Sequence, residues 1–213
     1  MKHNKKLLWQ LPFLAFLIIG TVYIVSHQQS MPYQHNQGFV FGTVYNITYQ
    51  SDKDLQPEIE AELRKVDNSL STFNKESIIS KINSNRPTKL NEMFVEVFDH
   101  AKQVSRETDG AFDITVAPLV NLWGFGFKQG SNPSRQKIDS LMQFIGYDKV
   151  SLVGKSIRKS HPQVMLDCSA IAKGYGADVV ARFLRKNDIT NFMIEIGGEI
   201  VTSGNSEKRV PWK

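Results

Sequence analysis

An apolar run near the N-terminus constrains the fold of this chain more than any other feature. Residues 7–25 carry no charge and are almost entirely apolar, and Lys2, Lys5 and Lys6 precede them. Nineteen such residues approach the roughly 20 that a helix needs to span a bilayer and exceed the roughly 7–15 of a signal-peptide core. We therefore expect residues 1–28 to form a membrane anchor or a signal, with one N-terminal transmembrane helix as the favoured interpretation.

The basic flank of this run predicts its orientation. Lysines tend to remain on the cytoplasmic side of a membrane helix, so we expect the globular part to face the periplasm from the inner (cytoplasmic) membrane. Residues 29–37 are polar and are typical of a linker. Without the three leading lysines, 23 basic residues stand against 21 acidic ones. The folded part is therefore nearly neutral, without the basic cluster of a nucleic-acid surface, and we expect no nucleic-acid partner.

Hydrophobic periodicity divides residues 38–213 into helices and strands. Apolar residues repeat at helical spacing over 57–70, 91–108, 134–145 and 169–187. β-rich patterns occupy 39–50, 148–153, 163–167 and 191–203. Strands and helices do not alternate regularly, so the pattern predicts an α+β domain, a mixed sheet with flanking helices.

Two details of the last strand bear on the domain. Gly197-Gly198 interrupts the pattern of 191–203, and a glycine pair inside a strand indicates a bulge or a close backbone approach. Residues 210–213 begin a new β-like run at which the sequence stops. A domain seldom ends on half a strand, so we expect 38–213 to be the N-terminal portion of a longer, C-terminally truncated domain.

Two segments are too specific to be explained by packing alone. The first is TDGAFDITVAPLVNLWGFG at 108–126, and the second is LDCSAIAKGYGAD at 166–178, followed by EIGGE at 195–199. Together with FGT at 41–43 and LSTF at 70–73, they closely resemble the ApbE family, the FAD:protein FMN transferases. The resemblance extends from about residue 38 to the last residue.

This resemblance implies a flavin chemistry. Members of the family bind FAD and Mg²⁺ and move FMN onto a Ser or Thr hydroxyl of a target protein, releasing AMP. Targets include flavoprotein subunits of membrane redox complexes, and some members instead hydrolyse FAD to FMN and AMP. The fold that it implies is the ApbE-like flavin transferase fold.

The resemblance also assigns roles to individual residues. It implies Mg²⁺ ligation by the backbone carbonyl of Ala170, an oxygen donor of the kind that Mg²⁺ takes. The implied FAD contacts are Phe41, Phe73, Ala111, Phe112, Asp113, Asp167 and Lys173. From the residues alone, the favoured interpretation of Asp113 is a turn carboxylate that caps the backbone. For Lys173 the alternative is a solvated lysine in the first turn of a helix, which the helix dipole disfavours.

The sequence departs from the family pattern at several positions. Phe41 replaces a usual Met, Phe73 a usual Tyr, and Cys168 a usual Leu or Gly. A thiol at that position is more typical of a buried side chain than of a reactive one. The His-x-x-Asp-Pro segment of the family, with the Asp and Thr that complete its Mg²⁺ site, does not occur within the 213 residues. We expect the catalytic residues there, and keep an anchored flavin- or partner-binding protein without catalysis as the alternative.

Overall fold

The computed structural model describes residues 5–27, 31–125 and 132–213. The strands are β1 (Tyr33–Val40), β2 (Thr43–Gln50), β3 (Val150–Val153), β4 (Ser156–Lys159), β5 (Phe192–Ile196) and β6 (Glu199–Ser203). β1, β2, β5 and β6 form one four-stranded sheet in the order β1-β2-β5-β6, and β3 pairs with β4. Every one of these pairs is antiparallel. The α+β class is confirmed, but the sheet is antiparallel where the sequence predicts a mixed one. Hairpins join β1 to β2 and β5 to β6, which makes these pairs antiparallel, and β5 returns antiparallel to β2 after a long excursion of the chain.

Helices flank this sheet. They are α1 (Lys5–His27), α2 (Gln56–Leu70), α3 (Ile78–Asn83), α4 (Glu92–Glu107), α5 (Ala117–Trp123), α6 (Arg135–Met142) and α7 (Ser169–Lys186). The helices predicted at 57–70, 91–108, 134–145 and 169–187 are α2, α4, α6 and α7. The sequence patterns miss α3 and α5, which have six and seven residues and are too short to show helical periodicity.

The N-terminal apolar run forms α1, as a helix. Within the described residues, however, we find no helix whose length and apolar character suffice to cross a membrane.

The start of the sheet differs from the sequence-based expectation. Residues 33–37, assigned above to a linker, lie in β1, and 28–30 are outside the described residues. Their polar side chains do not prevent this, because an edge strand is held by its backbone ladder with β2. The predicted strand 39–50 is broken at Phe41-Gly42, where φ values of 53° and 76° match the two-residue turn that favours positive φ.

The structure also differs from the sequence-based expectation at the glycine pair and at the predicted strand 163–167. Gly197-Gly198 is the turn between β5 and β6, with φ values of 56° and 93°, rather than a bulge in one strand. Residues 163–167 form no named strand. Met165 makes an isolated parallel bridge with Val116.

Two buried clusters hold these elements together. In the first, which we call the sheet core, α2 and α7 pack on the inner face of β2 and β5, with Tyr45, Ile47, Tyr49, Ile59, Leu63, Leu184, Phe192 and Ile194 among its members. In the second, the helical core, α2, α3, α4 and α7 enclose Val66, Ile79, Phe94, Phe98, Ile114, Leu166, Cys168 and Val179. Because α7 contributes to both, its N-terminal turn is fixed relative to the sheet and to the helices.

The last residues lie against the sheet. Trp212 donates from its indole nitrogen to the Ser203 carbonyl at 2.9 Å, and its ring lies edge-on to Tyr33. The β-like run at 210–213 forms no strand; Pro211 makes an isolated bridge with Asn205.

Candidate functional site

The two motif segments of the sequence lie side by side in the structure. The Asp167 N–H donates to the Ile114 carbonyl at 2.7 Å, and the Val116–Met165 bridge is parallel. Asp113 and Asp167 are therefore brought to the same edge of the helical core, although 54 positions separate them in the chain. Gly126, the last residue of the first motif, lies outside the described residues.

Asp113 is fixed by its own turn. Its Oδ1 accepts from the Thr115 backbone N–H and from the Thr115 hydroxyl, each at 2.7 Å. This is the backbone-capping arrangement that the residues alone allow. The carboxylate remains only partly buried, so capping and ligand contact are compatible. Ala111, two residues earlier, is exposed.

Asp167 occupies the start of α7. Its Oδ1 accepts from the Ser169 N–H at 2.6 Å, which satisfies one of the unpaired donors of a helix N-terminus. The residue before it, Leu166, is held by Asn83 of α3, whose Oδ1 accepts from the Leu166 N–H at 2.7 Å and whose Nδ2 donates to the Leu166 carbonyl at 2.8 Å. The Asn83 amide thus pairs with both backbone groups of Leu166, as a neighbouring strand would, and holds the chain directly before Asp167.

Lys173 follows Ala170 by three positions, so the two residues lie on one face of α7. Its Nζ donates to the Gly197 carbonyl at 3.1 Å and lies 3.5 Å from Glu199 Oε1, with the side chain 33% exposed. Lys173 is therefore directed at the β5–β6 turn and is not the freely solvated lysine of the alternative interpretation. Its ammonium group retains access to solvent, and with it to an anionic ligand.

The β5–β6 turn approaches α7 and β2 closely. A Cβ added at Gly197 would lie 2.6 Å from Thr43 Cγ2 and 3.1 Å from Lys173 Cδ, which bears out the close approach indicated by the glycine pair. Beside it, Glu195 accepts from Asn46 Nδ2 at 2.6 Å and from the Gly198 N–H at 2.8 Å. These two hydrogen bonds lower the pKa of Glu195, which favours its charged form beside the turn.

The three phenylalanines implied in FAD binding are not all in one place. Phe41 and Phe112 both pack against the helical core. The Phe41 ring lies on Gly176 of α7, where an added Cβ would come within 2.6 Å of Cε2. Phe73 lies between α2 and α3, outside that cluster, and is 58% exposed. Two of the three rings therefore pack on the helical core, and the third is largely exposed between α2 and α3.

Cys168 behaves as a buried side chain. It is 2% exposed, and burial raises the pKa of its thiol to about 12, with a smaller contribution from the charge of Asp167. The predicted burial of this residue is confirmed, and since the thiolate is the reactive form, we expect the thiol to be unreactive in the folded protein.

These residues alone do not form a magnesium site. Across residues 5–27, 31–125 and 132–213, no group of three or more His, Cys, Asp or Glu side chains could hold a metal ion. Ala170 is exposed in the first turn of α7, and one carbonyl does not meet the near-octahedral coordination of Mg²⁺. The donor set described here therefore does not fit a complete Mg²⁺ site.

Sequence reasoning misses three residues that shape this site. Asn83 forms hydrogen bonds with Leu166, and Thr115 forms them with Asp113. Thr43 packs closely against the Gly197 turn. Thr43 and Thr115 lie in segments that carry the family resemblance, whereas Asn83 does not. Asn83 precedes Leu166 by 83 positions, and no periodicity or spacing reveals such a contact.

Comparison with known proteins agrees with this architecture. The chain is 37% identical over 190 residues to the FAD:protein FMN transferase of Vibrio cholerae and 35% identical over 193 residues to that of Haemophilus influenzae. These alignments cover 84% and 83% of the chain but 57% and 56% of the two relatives. The chain therefore spans a little over half the length of the curated relatives it matches.

Solved structures give the same result. The chain matches the flavin transferase ApbE from Vibrio cholerae with a TM-score of 0.80 at 36% identity, over 85% of the chain and 62% of that structure. It matches the apo form of the Pseudomonas stutzeri flavinyl transferase ApbE with a TM-score of 0.78 at 30% identity, over 86% and 64%. The family's sequence model covers residues 41–213, and the chain thus belongs to the ApbE family.

Proposed function

We propose that this protein is an FAD:protein FMN transferase. The observation that carries the proposal is the contact between the two motif segments at the start of α7, where the Asp167 N–H donates to the Ile114 carbonyl beside Asp113, with Lys173 in the second turn of the same helix and Phe41 and Phe112 packed on the helical core. FAD needs such a combination, an apolar wall for its rings with a few placed polar groups for its edges and phosphates. The relatives that span the chain carry this activity in their names.

Each polar residue has a chemical part in the proposed site. Asp113 and Asp167 accept hydrogen bonds from N–H and hydroxyl groups of the flavin or ribose. Lys173 meets the negatively charged pyrophosphate, exchanging its contacts to the Gly197 carbonyl and Glu199 for a phosphate oxygen. The N-terminal turn of α7 adds the favourable dipole that helix N-termini offer to anions.

The proposed reaction breaks one bond in FAD and forms another. The hydroxyl oxygen of a Ser or Thr in the target protein attacks the phosphorus of the FMN half. The bond between that phosphorus and the oxygen bridging to the AMP half breaks, so that AMP leaves and the hydroxyl proton is released. The product is an FMN phosphoester on the target.

We keep a magnesium requirement as part of the proposal. Phosphoryl transfer depends mainly on positioning and on neutralising charge, and Mg²⁺ supplies that charge when bound. Of the described residues, the Ala170 carbonyl is the donor assigned to it. Removal of divalent cations with EDTA is expected to abolish transfer, and added Mg²⁺ to restore it.

The partner and the location are also proposals. We propose flavoprotein subunits of membrane redox complexes as targets, and a periplasmic position at the inner membrane. The location rests on the lysines that precede the apolar run. A reporter fused after Gln37 is expected to be active only when it is exported, and reporter activity in the cytoplasm would contradict this location.

The activity is tested with FAD, Mg²⁺ and an acceptor protein that carries the target Ser or Thr. We expect covalent flavin fluorescence on the acceptor after denaturing electrophoresis, and none on an acceptor whose target residue is replaced by Ala. Release of FMN and AMP without labelling would indicate FAD hydrolysis instead. FAD binding without either reaction would indicate a flavin-binding protein that lacks catalysis.

A further inference from the structure

Thr115 is a buried polar side chain at the centre of the contacts around Asp113. It is 0% exposed, and burying a hydroxyl without a hydrogen-bond partner costs free energy. Its neighbours Ile114 and Ala117 are buried apolar residues. An apolar side chain of similar shape, such as valine, therefore suits this position as far as packing is concerned, and the hydroxyl needs a separate explanation.

The Thr115 hydroxyl belongs to a directed chain of hydrogen bonds. The Gly146 N–H donates to Thr115 Oγ1 at 2.7 Å, and Oγ1 donates to Asp113 Oδ1 at 2.7 Å. A hydroxyl has one proton to donate. Because an N–H group already occupies its acceptor side, that proton is directed at the carboxylate.

The far end of this chain is well anchored. The Gly146 carbonyl accepts from the Lys149 N–H at 2.9 Å, and Lys102 of α4 donates to the Val150 carbonyl at 2.9 Å. Gly146 has a φ of 148°, and an added Cβ would lie 2.5 Å from Asp148 Oδ1. These contacts hold the Gly146 N–H in place. Through its hydrogen bonds to this N–H and to the carboxylate, Thr115 links Asp113 to the fixed 146–150 segment.

The result is a carboxylate with two unequal oxygens. Among the hydrogen bonds of the described residues, both that reach Asp113 from Thr115 end on Oδ1. Two donors on one oxygen fix the plane of the carboxylate and leave Oδ2 as the oxygen available to a further donor. A carboxylate with one fixed oxygen loses less rotational freedom when its second oxygen binds a ligand.

We propose that Thr115 is a positioning residue for FAD: its buried hydroxyl holds the Asp113 carboxylate in the orientation that accepts a hydrogen bond from the nucleotide. This inference rests on the proposed function, because it places FAD at Asp113. It adds a residue outside the contacts that the family resemblance implies.

A packing role and a positioning role predict different results in a double-mutant cycle. If Thr115 acts through Asp113, its effect on FAD affinity disappears once Asp113 is gone. If it only supports the fold, its effect is the same in both backgrounds, since contributions of independent sites add. The cycle therefore separates the two roles even when thermal stability falls in every variant.

The experiment titrates FAD into the full-length protein and measures the thermal unfolding of each variant. The variants are Thr115→Val, Thr115→Ser, Asp113→Ala and the double variant Thr115→Val/Asp113→Ala. We expect Thr115→Val to weaken FAD binding about tenfold, the scale of one hydrogen bond to a charged group. Thr115→Ser keeps the hydroxyl and is expected to bind within about twofold of wild type. In the double variant, we expect no loss beyond that of Asp113→Ala.

The possible failures are distinguishable. If Thr115→Val binds FAD like wild type while Asp113→Ala binds weakly, the inference is overturned and the proposed function stands. If the two losses multiply, Thr115 is a packing residue and the inference is again overturned. If wild type neither binds FAD nor labels an acceptor, the proposed function fails. Should the valine variant not fold, Thr115→Ala takes its place in the same cycle.

Discussion

The sheet core and the region around Asp113 and Asp167 are held together in different ways. In the sheet core, alternating residues of β2 and β5, such as Ile47, Tyr49 and Phe192, are at most 1% exposed and pack on α2 and α7. The segments around Asp113 and Asp167 have no regular ladder beyond one bridge. There, the side chains of Asn83 and Thr115 bind backbone or carboxylate groups.

This difference separates stability from site geometry. Apolar burial is non-directional and scales with the area removed from water, so it stabilises the sheet without fixing any particular polar atom. Hydrogen bonds are directional, and those around Asp113 and Asp167 fix individual oxygen atoms. We therefore expect core substitutions to act on unfolding and substitutions of the bonding side chains to act on the site.

The largest effect on stability is expected in the sheet core. Phe192→Ala removes a fully buried ring and should lower the free energy of unfolding by about 3–5 kcal/mol. Phe39→Ala, on the 72% exposed Phe39 of β1, is the matched control and should change it by less than about 0.5 kcal/mol. Urea denaturation measures both. Equal losses would mean that β5 does not form the core described here.

A smaller effect is expected at Asn83. Asn83→Ala leaves the Leu166 N–H and carbonyl without their partner, which should cost about 1–3 kcal/mol of unfolding free energy. It should also weaken FAD binding, because Leu166 precedes Asp167. Gln136→Ala, at an exposed position of α6, is the control and should change neither quantity measurably. A stability loss with unchanged FAD affinity would show that the contact to Leu166 does not fix Asp167.

The smallest effect concerns Cys168. Because burial raises the pKa of its thiol to about 12, the folded protein should not react with iodoacetamide at pH 8, whereas the protein in urea should react. The unfolded thiol ionises near its ordinary value of 9.0. Burial of the neutral thiol therefore contributes stability that is fully present below pH 9 and is lost as the pH rises toward 12. Fast alkylation of the folded protein would contradict this burial.

Sequence periodicity predicts most of this fold. The long helices α2, α4 and α7 have apolar stripes that later form the two cores, and Asn91 is the cap of α4, accepting from the Phe94 N–H at 2.9 Å. β1 is missed because its polar side chains show no apolar alternation. The antiparallel order of the sheet is missed because strand pairing over 140 positions leaves no local signal.

The site is predictable only in part. The motif segments and the family resemblance single out Asp113, Asp167 and Lys173, and the structure places them at one end of α7. It does not follow from the sequence that Lys173 is directed at Gly197, or that Asn83 and Thr115 hold the two carboxylate segments. These contacts depend on how α3 and the 146–150 segment pack, which is a tertiary property.

The most direct test of the central claim is a titration of FAD into wild type and into Asp113→Ala, Asp167→Ala and Lys173→Ala. We predict that each variant binds FAD more weakly by about 1–3 kcal/mol, the cost of a lost charged hydrogen bond, while thermal unfolding shows that it is folded. Lys137→Ala, at an exposed lysine of α6, is the control for a general loss of positive charge and should bind like wild type. Unchanged FAD affinity in all three variants would contradict the site.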